Sequence, residues 1–122
     1  MRHAILGAGG IGGLIGACLA KSGASVTLVV RSETLSSFPK QLHLESPFGN
    51  FAVPVELSAT VPDADVVWIT TKATQLDSAL KSFSEKVSVR AIVPLLNGID
   101  HVARLREKYG TDGVVPATIA VE

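Results

Sequence analysis

The chain has 122 residues, 18% of them charged and 47% hydrophobic, with eleven basic and eleven acidic side chains. This composition describes one domain able to build a core without disulfides or metal, since a chain of this size buries roughly two thirds of the surface that its unfolded form exposes. A formal charge of zero supplies no electrostatic footprint for nucleic acid or an anionic membrane, the apolar content excludes disorder, and the single Cys18 has no internal partner for a disulfide.

The first elements are governed by glycine. Ala4 to Ala20 is a 17-residue stretch without charge, preceded by Arg2 and His3 and followed by Lys21, which is also the outline of an export signal. Its six glycines argue against that, because each costs a helix about 1 kcal/mol relative to alanine, and the stretch is short for a membrane span of about 20 residues. A strand, a turn and a helix use every glycine instead. Arg2 to Leu6 predicts a first strand, stopped by Gly7. Ile11, Leu14, Ile15, Cys18 and Leu19 then recur at helical spacing and predict a helix whose apolar stripe, with a buried Cys18 in it, lies on the sheet. Lys21, Ser22 and Gly23 end that helix, and Ala24 to Val30 predicts a second buried strand.

Two alternating segments, QLHLES and FAVPVEL, flank Pro47-Phe48-Gly49-Asn50 and predict a hairpin or short edge strands, with Pro54 keeping the second off a central position. Val66 to Ile69 is apolar on both faces and predicts a central parallel strand ending at Thr70, Thr71 and Lys72. Leu76, Ala79, Leu80, Phe83 and Val87 predict a covering helix over 73–87. Arg90 to Leu96 predicts a further strand despite Pro94, Ile99 to Tyr109 a third helix, and Gly113 to Val121 a last strand interrupted by Pro116. Strands alternating with helices predict an α/β domain over 1–122, Rossmann-type and doubly wound, with a mostly parallel sheet, helices on both faces and a short hairpin after the second strand.

Gly7-Ala8-Gly9-Gly10-Ile11-Gly12 matches G-x-G-x-x-G, and it follows a predicted strand and opens a predicted helix, the context that the dinucleotide fingerprint requires. Gly7 permits the tight turn, Gly9 lets a pyrophosphate approach the backbone, and Gly12 lets helix and strand pack closely. The helix amino terminus offers unpaired N–H groups to the phosphates. At the end of the second strand NAD-binding proteins place Asp or Glu on the ribose. This chain has Val30-Arg31-Ser32, with Glu33 the other charge nearby, and a guanidinium suits a ribose 2′-phosphate. NADP(H) is therefore expected over NAD(H), the bland alternative being a solvated loop cation. Lys72 and Asn97 stand at strand ends where α/β sheets bind ligands, or else serve as a solvated first-turn residue and a turn cap. Thr71 and Thr118 are weaker candidates of the same kind. The three histidines share no metal spacing, and no nucleophile-base set stands out.

The segments LGAGGIGGLIGACLAKSGASVTLVVR, TTKATQLDSAL and VPLLNGIDHVARL together resemble the amino-terminal domain of the ketopantoate reductase (2-dehydropantoate 2-reductase) family, over essentially the whole chain. The resemblance implies a cytoplasmic oxidoreductase that reduces a small 2-oxo acid, ketopantoate, with NADPH to give pantoate, a precursor of pantothenate and coenzyme A. It places the pyrophosphate over Gly7, Ala8, Gly9, Gly10, Ile11 and Gly12 and the 2′-phosphate on Arg31. Lys72, Gln75 and Asn97 then line the cofactor cleft, with Asn97 also beside the substrate, and Thr118 to Glu122 approach the same cleft. Family members are about twice this length or more, and their helical second domain supplies the proton-donating lysine. No catalytic residue is therefore assigned within these residues, the chain is expected to be an inactive cofactor-binding half, and apolar surface left for the second domain makes a homo-oligomer an expectation. The competing reading is a free-standing nucleotide-sensing Rossmann module, which usually carries an acidic residue where this chain has Arg31.

Overall fold

The computed structural model describes residues 1–7, 10–38, 41–46, 49–72, 75–83, 88–95, 105–107 and 113–114. The elements in chain order are β1 (Arg2–Leu6), α1 (Gly10–Lys21), β2 (Ser25–Val29), α2 (Ser32–Leu35), β3 (Gln41–Ser46), β4 (Gly49–Pro54), β5 (Glu56–Ser58), β6 (Ala64–Ile69), α3 (Leu76–Leu80) and β7 (Val89–Pro94). Five strands form one parallel sheet in the order β5-β2-β1-β6-β7, while β3 and β4 make a separate antiparallel pair. The chain thus winds from β1 outward through β2 to β5, then returns to the other side of β1 as β6 and β7. That reversal is the switch point at which sheets of this kind open a ligand crevice.

Alternation along the central strands explains why both faces must be covered. Ala4 and Leu6 of β1, Val29 of β2, Val67 and Ile69 of β6 and Ile92 of β7 point to one face, where they pack with Leu76, Leu80 and Leu105. Ile5, Val26 and Leu28 point to the other, against Ile15 and Leu19 of α1 and Leu42 of β3. Ile5, Leu28, Val67 and Ile69 have no exposed surface. Burial of a side chain of this size contributes about 1.5–3 kcal/mol, so the two-sided centre of the sheet is the stable part of the molecule.

Helix α1 departs from the expected stripe. Its buried positions are Gly12, Gly16 and Ala17, whereas Ile11 is 40% exposed and Cys18 is exposed and unbridged. The helix turns its glycines inward because they allow contact that a side chain would prevent: a methyl at Gly16 would come within 3.1 Å of Leu42 Cδ1 and 3.4 Å of Leu28 Cδ2. The sheet and the hairpin therefore close on α1 together. The helix ends as the sequence predicts, with Gly23 at φ +96°, its N–H on the Ala20 carbonyl and the Ala24 N–H on the Leu19 carbonyl, both 3.1 Å, a glycine-stopped terminus with satisfied carbonyls.

Other differences are of extent. The expected hairpin is present, but the end of its second segment peels away as β5 and joins the main sheet beside β2. Helix α2 was not expected from the sequence. The helix expected over 73–87 runs only from Leu76 to Leu80 among the described residues, followed by a turn at Lys81 and Ser82. β7 ends with Pro94 itself, whose missing N–H costs nothing at a strand terminus. Of the last expected strand, Val114 is described, bridged in parallel to Ile92, and of the third expected helix a helical stretch at 105–107. The remainder of both lies outside the described residues.

Candidate functional site

The carboxyl ends of β1, β2 and β6 open on one cavity of about 750 Å³. Gly7 and Ile11 form its wall at the turn between β1 and α1, Arg31 and Thr34 at the end of β2, and Thr70, Thr71 and Lys72 at the end of β6. The turn can exist only with glycine at two positions. Gly7 has φ +103°, and a methyl on it would lie 2.9 Å from the Thr71 backbone nitrogen. A methyl on Gly12 would collide with the carbonyl oxygen of Gly7. Close approach of the helix start to the strand end is thus built into the backbone, and it leaves the amino end of α1, with its unpaired N–H groups, beside the cavity.

The charges at the cavity have one sign. Arg31 and Lys72 line it, no acidic residue does so among the described residues, and both cations are exposed. Arg31 sits in extended backbone just before α2, where its carbonyl accepts the Thr34 N–H at 2.9 Å, and its side chain makes no cap hydrogen bond and has no ion-pair partner among the described residues. Gln75 stands on the opposite side, its backbone N–H donating to the Lys72 carbonyl at 2.9 Å. With Ser78, Ala79 and Ser82 it gives α3 and the following turn a small and polar stripe toward the cavity, while Leu76 and Leu80 face the core. The Thr71 hydroxyl is buried at this wall without a hydrogen-bond partner among the described residues, the kind of group that a bound polar ligand or water satisfies.

Of the residues singled out from sequence, Gly7, Ile11, Arg31, Thr71, Lys72 and Gln75 share this cavity. Gly10 opens α1, and Gly12 lies behind the wall against Gly7. Ala8, Gly9, Asn97, Thr118 and Glu122 lie outside the described residues. Sequence reasoning named Gln75 but missed Thr34 and the further cavity-facing residues Ser78, Ala79 and Ser82. The small hydroxyl residues Ser78 and Ser82, one helical turn apart and a turn beyond Gln75, are the signal that could have found that face, but Thr34 carries no comparable signal. Among the described residues there is no cluster of metal-ligating side chains and no helix long and apolar enough to cross a membrane.

The family model for ketopantoate reductase PanE/ApbA matches residues 3–122. The chain belongs to that family. It is 32% identical over 112 residues to a 2-dehydropantoate 2-reductase of Pyrococcus horikoshii, a match covering 90% of this chain and 37% of the relative. Among solved structures it resembles a PanE/ApbA family ketopantoate reductase of Ralstonia eutropha, with a TM-score of 0.77 and 27% identity over 100% of this chain and 42% of the other. It also resembles a D-mandelate dehydrogenase held with NADH and anilino(oxo)acetate, with a TM-score of 0.76 and 25% identity over 97% of this chain and 40% of the other. The chain therefore spans about two fifths of the length of the proteins it matches, and it is a Rossmann-type domain of a dehydrogenase family.

Proposed function

We propose that this domain binds NADPH in the cavity between β1, β2 and β6 and serves a reductase of a small 2-oxo acid, with 2-dehydropantoate the first substrate to try. The observation that carries the cofactor choice is Arg31, a guanidinium on the cavity wall at the end of β2 with no ion-pair partner among the described residues, where an NAD-binding domain needs a carboxylate. The glycine turn, the cationic lining and the Thr71 hydroxyl, buried without a partner among the described residues, fit a polyanionic dinucleotide. The turn and the start of α1 would hold the pyrophosphate, Arg31 the 2′-phosphate, and Lys72 and Gln75 the cleft beyond. When bound, the nicotinamide supplies a hydride to a carbonyl carbon. The work of this chain is binding and orientation, and family membership supports the reading of a cytoplasmic enzyme with a 2-oxo acid substrate.

Calorimetric titration of NADPH and NADH into the protein and its Arg31→Ala variant tests the reading. A hydrogen bond to a charged group contributes about 1.5–3 kcal/mol, so NADPH should weaken about 10- to 150-fold while NADH changes little. The NADPH contact should also weaken with salt, because Arg31 is exposed. An equal change for both cofactors would move the assignment off Arg31.

A further inference from the structure

Thr70, the first residue beyond β6, is tied to the glycine turn from across the sheet. Its backbone N–H donates to the Leu6 carbonyl at 2.9 Å, extending the pairing of β6 with β1 by one step. Its hydroxyl lies 2.5 Å from the Gly7 carbonyl oxygen and 3.3 Å from that of Leu6. A threonine hydroxyl has one hydrogen, and carbonyls only accept, so that hydrogen is committed to the turn and is not free for a ligand. Gly7 is the residue at φ +103°, and its carbonyl is the atom that α1 meets at Gly12. Three features thus converge on one peptide: a backbone conformation reserved for glycine, a helix start packed against it, and a side chain from another strand bonded to it.

We infer that Thr70 is a positioning residue for the dinucleotide, holding the plane of the peptide that leaves Gly7 and so the shape of the turn over which the pyrophosphate lies. It acts through Gly7. The next residue provides the contrast, because Thr71 turns its methyl toward Gly7 and leaves its hydroxyl unbonded among the described residues. This assignment rests on the dinucleotide reading above, and it adds a residue that neither the glycine fingerprint nor the cation at β2 includes.

The test uses two ligands that differ in their need for the turn. NADPH requires it, whereas adenosine 2′-phosphate carries the group expected on Arg31 but no pyrophosphate. Thr70→Val keeps the shape of the side chain and removes the hydroxyl. It should weaken NADPH about 3- to 10-fold, the size of one neutral hydrogen bond, and leave adenosine 2′-phosphate within about 2-fold of the parent. Thr70→Ser should restore NADPH to within about 2-fold. Unchanged NADPH affinity in Thr70→Val, an equal loss for both ligands, or a serine variant as weak as the valine one would each overturn the assignment. Thr70→Ala replaces the valine variant should that not fold, and failure of both gives the hydroxyl to the fold alone and overturns the inference. A parent protein that binds neither ligand refutes the dinucleotide reading itself, an outcome separate from all of these.

Discussion

His3 is the buried polar residue of the core, 8% exposed on the central strand, and its Nδ1 accepts the indole N–H of Trp68 at 2.9 Å. That bond requires the unprotonated ring nitrogen. Burial, then the nearby terminal amine, lower the pKa of His3 below 6.5, with Asp65 opposing them. A histidine whose pKa is depressed on folding binds its proton more readily in the unfolded chain, so its contribution is whole above about pH 6.5 and is lost as pH falls from there through the folded value. Asp65, held low chiefly by the backbone N–H of Arg2, loses its contribution only below the usual carboxylate range. The two windows are separate. Urea unfolding between about pH 7.5 and pH 5 should therefore show a larger loss of stability in the parent than in His3→Gln, whose amide oxygen can accept the same bond without titrating. Equal losses would detach His3 from the acid response. The pair was not legible in the sequence: His3 and Trp68 are 65 residues apart, and only the parallel register of β1 and β6 makes them neighbours. The places of Gly7 and Arg31 at the cavity wall, by contrast, were legible because each depends on local position at a strand end.

At the scale of elements, α1 sets the terms. It carries four glycines in twelve residues, a burden of about 1 kcal/mol each by helix propensity alone, and they are not equivalent. A methyl at Gly13 meets nothing within 4 Å, whereas one at Gly12 strikes the Gly7 carbonyl. Gly13→Ala should accordingly stabilise the protein by about 0.5–1 kcal/mol, and Gly12→Ala should destabilise it by about 1–3 kcal/mol or more and deform the turn. Thermal unfolding of the two variants checks both signs, and a stable Gly12→Ala would mean that the close contact is not required. The helix was legible as an element and its end as a glycine stop. Its orientation was legible in part: Ile15 and Leu19 of the expected stripe do pack on the sheet, but Ile11 and Cys18 are exposed, because a hydropathy pattern follows side chains and much of the packed face of α1 is built where side chains are missing. The same blindness explains β5, three residues whose membership in the main sheet depends on a partner, β2, and not on any pattern of their own. Helix α3 was legible on its core face through Leu76 and Leu80, and of the residues toward the cavity Gln75 was named, whereas Ser78 and Ser82 went unread because small polar residues look like ordinary solvated surface.

For the whole molecule, the parallel sheet, the hairpin and the switch point could all be anticipated from alternating strand and helix patterns, since buried parallel strands are apolar runs that need no partner to be recognised. The chain spans about two fifths of its relatives, and its cavity offers cations, glycines and hydroxyls but no acid among the described residues. The function proposed above carries the expectation that these 122 residues by themselves bind NADPH and do not reduce 2-dehydropantoate. Following NADPH oxidation with and without that substrate decides it, and turnover at a rate typical of enzymes, about 10 per second, would overturn the expectation. The register that places Thr70 beside Gly7 also has a kinetic side. His3 pairs with Val66, while β3 and β4 pair across a short connection. Joining distant segments costs chain entropy before any contact rewards it, so parallel pairings form slowly and local hairpins fast. The hairpin can close early. The cavity, complete only when β6 has come to lie beside β1, is expected to close after the hairpin, and a nascent chain cannot have its Thr70 wall until residues near 70 have been synthesised and have found the first strand.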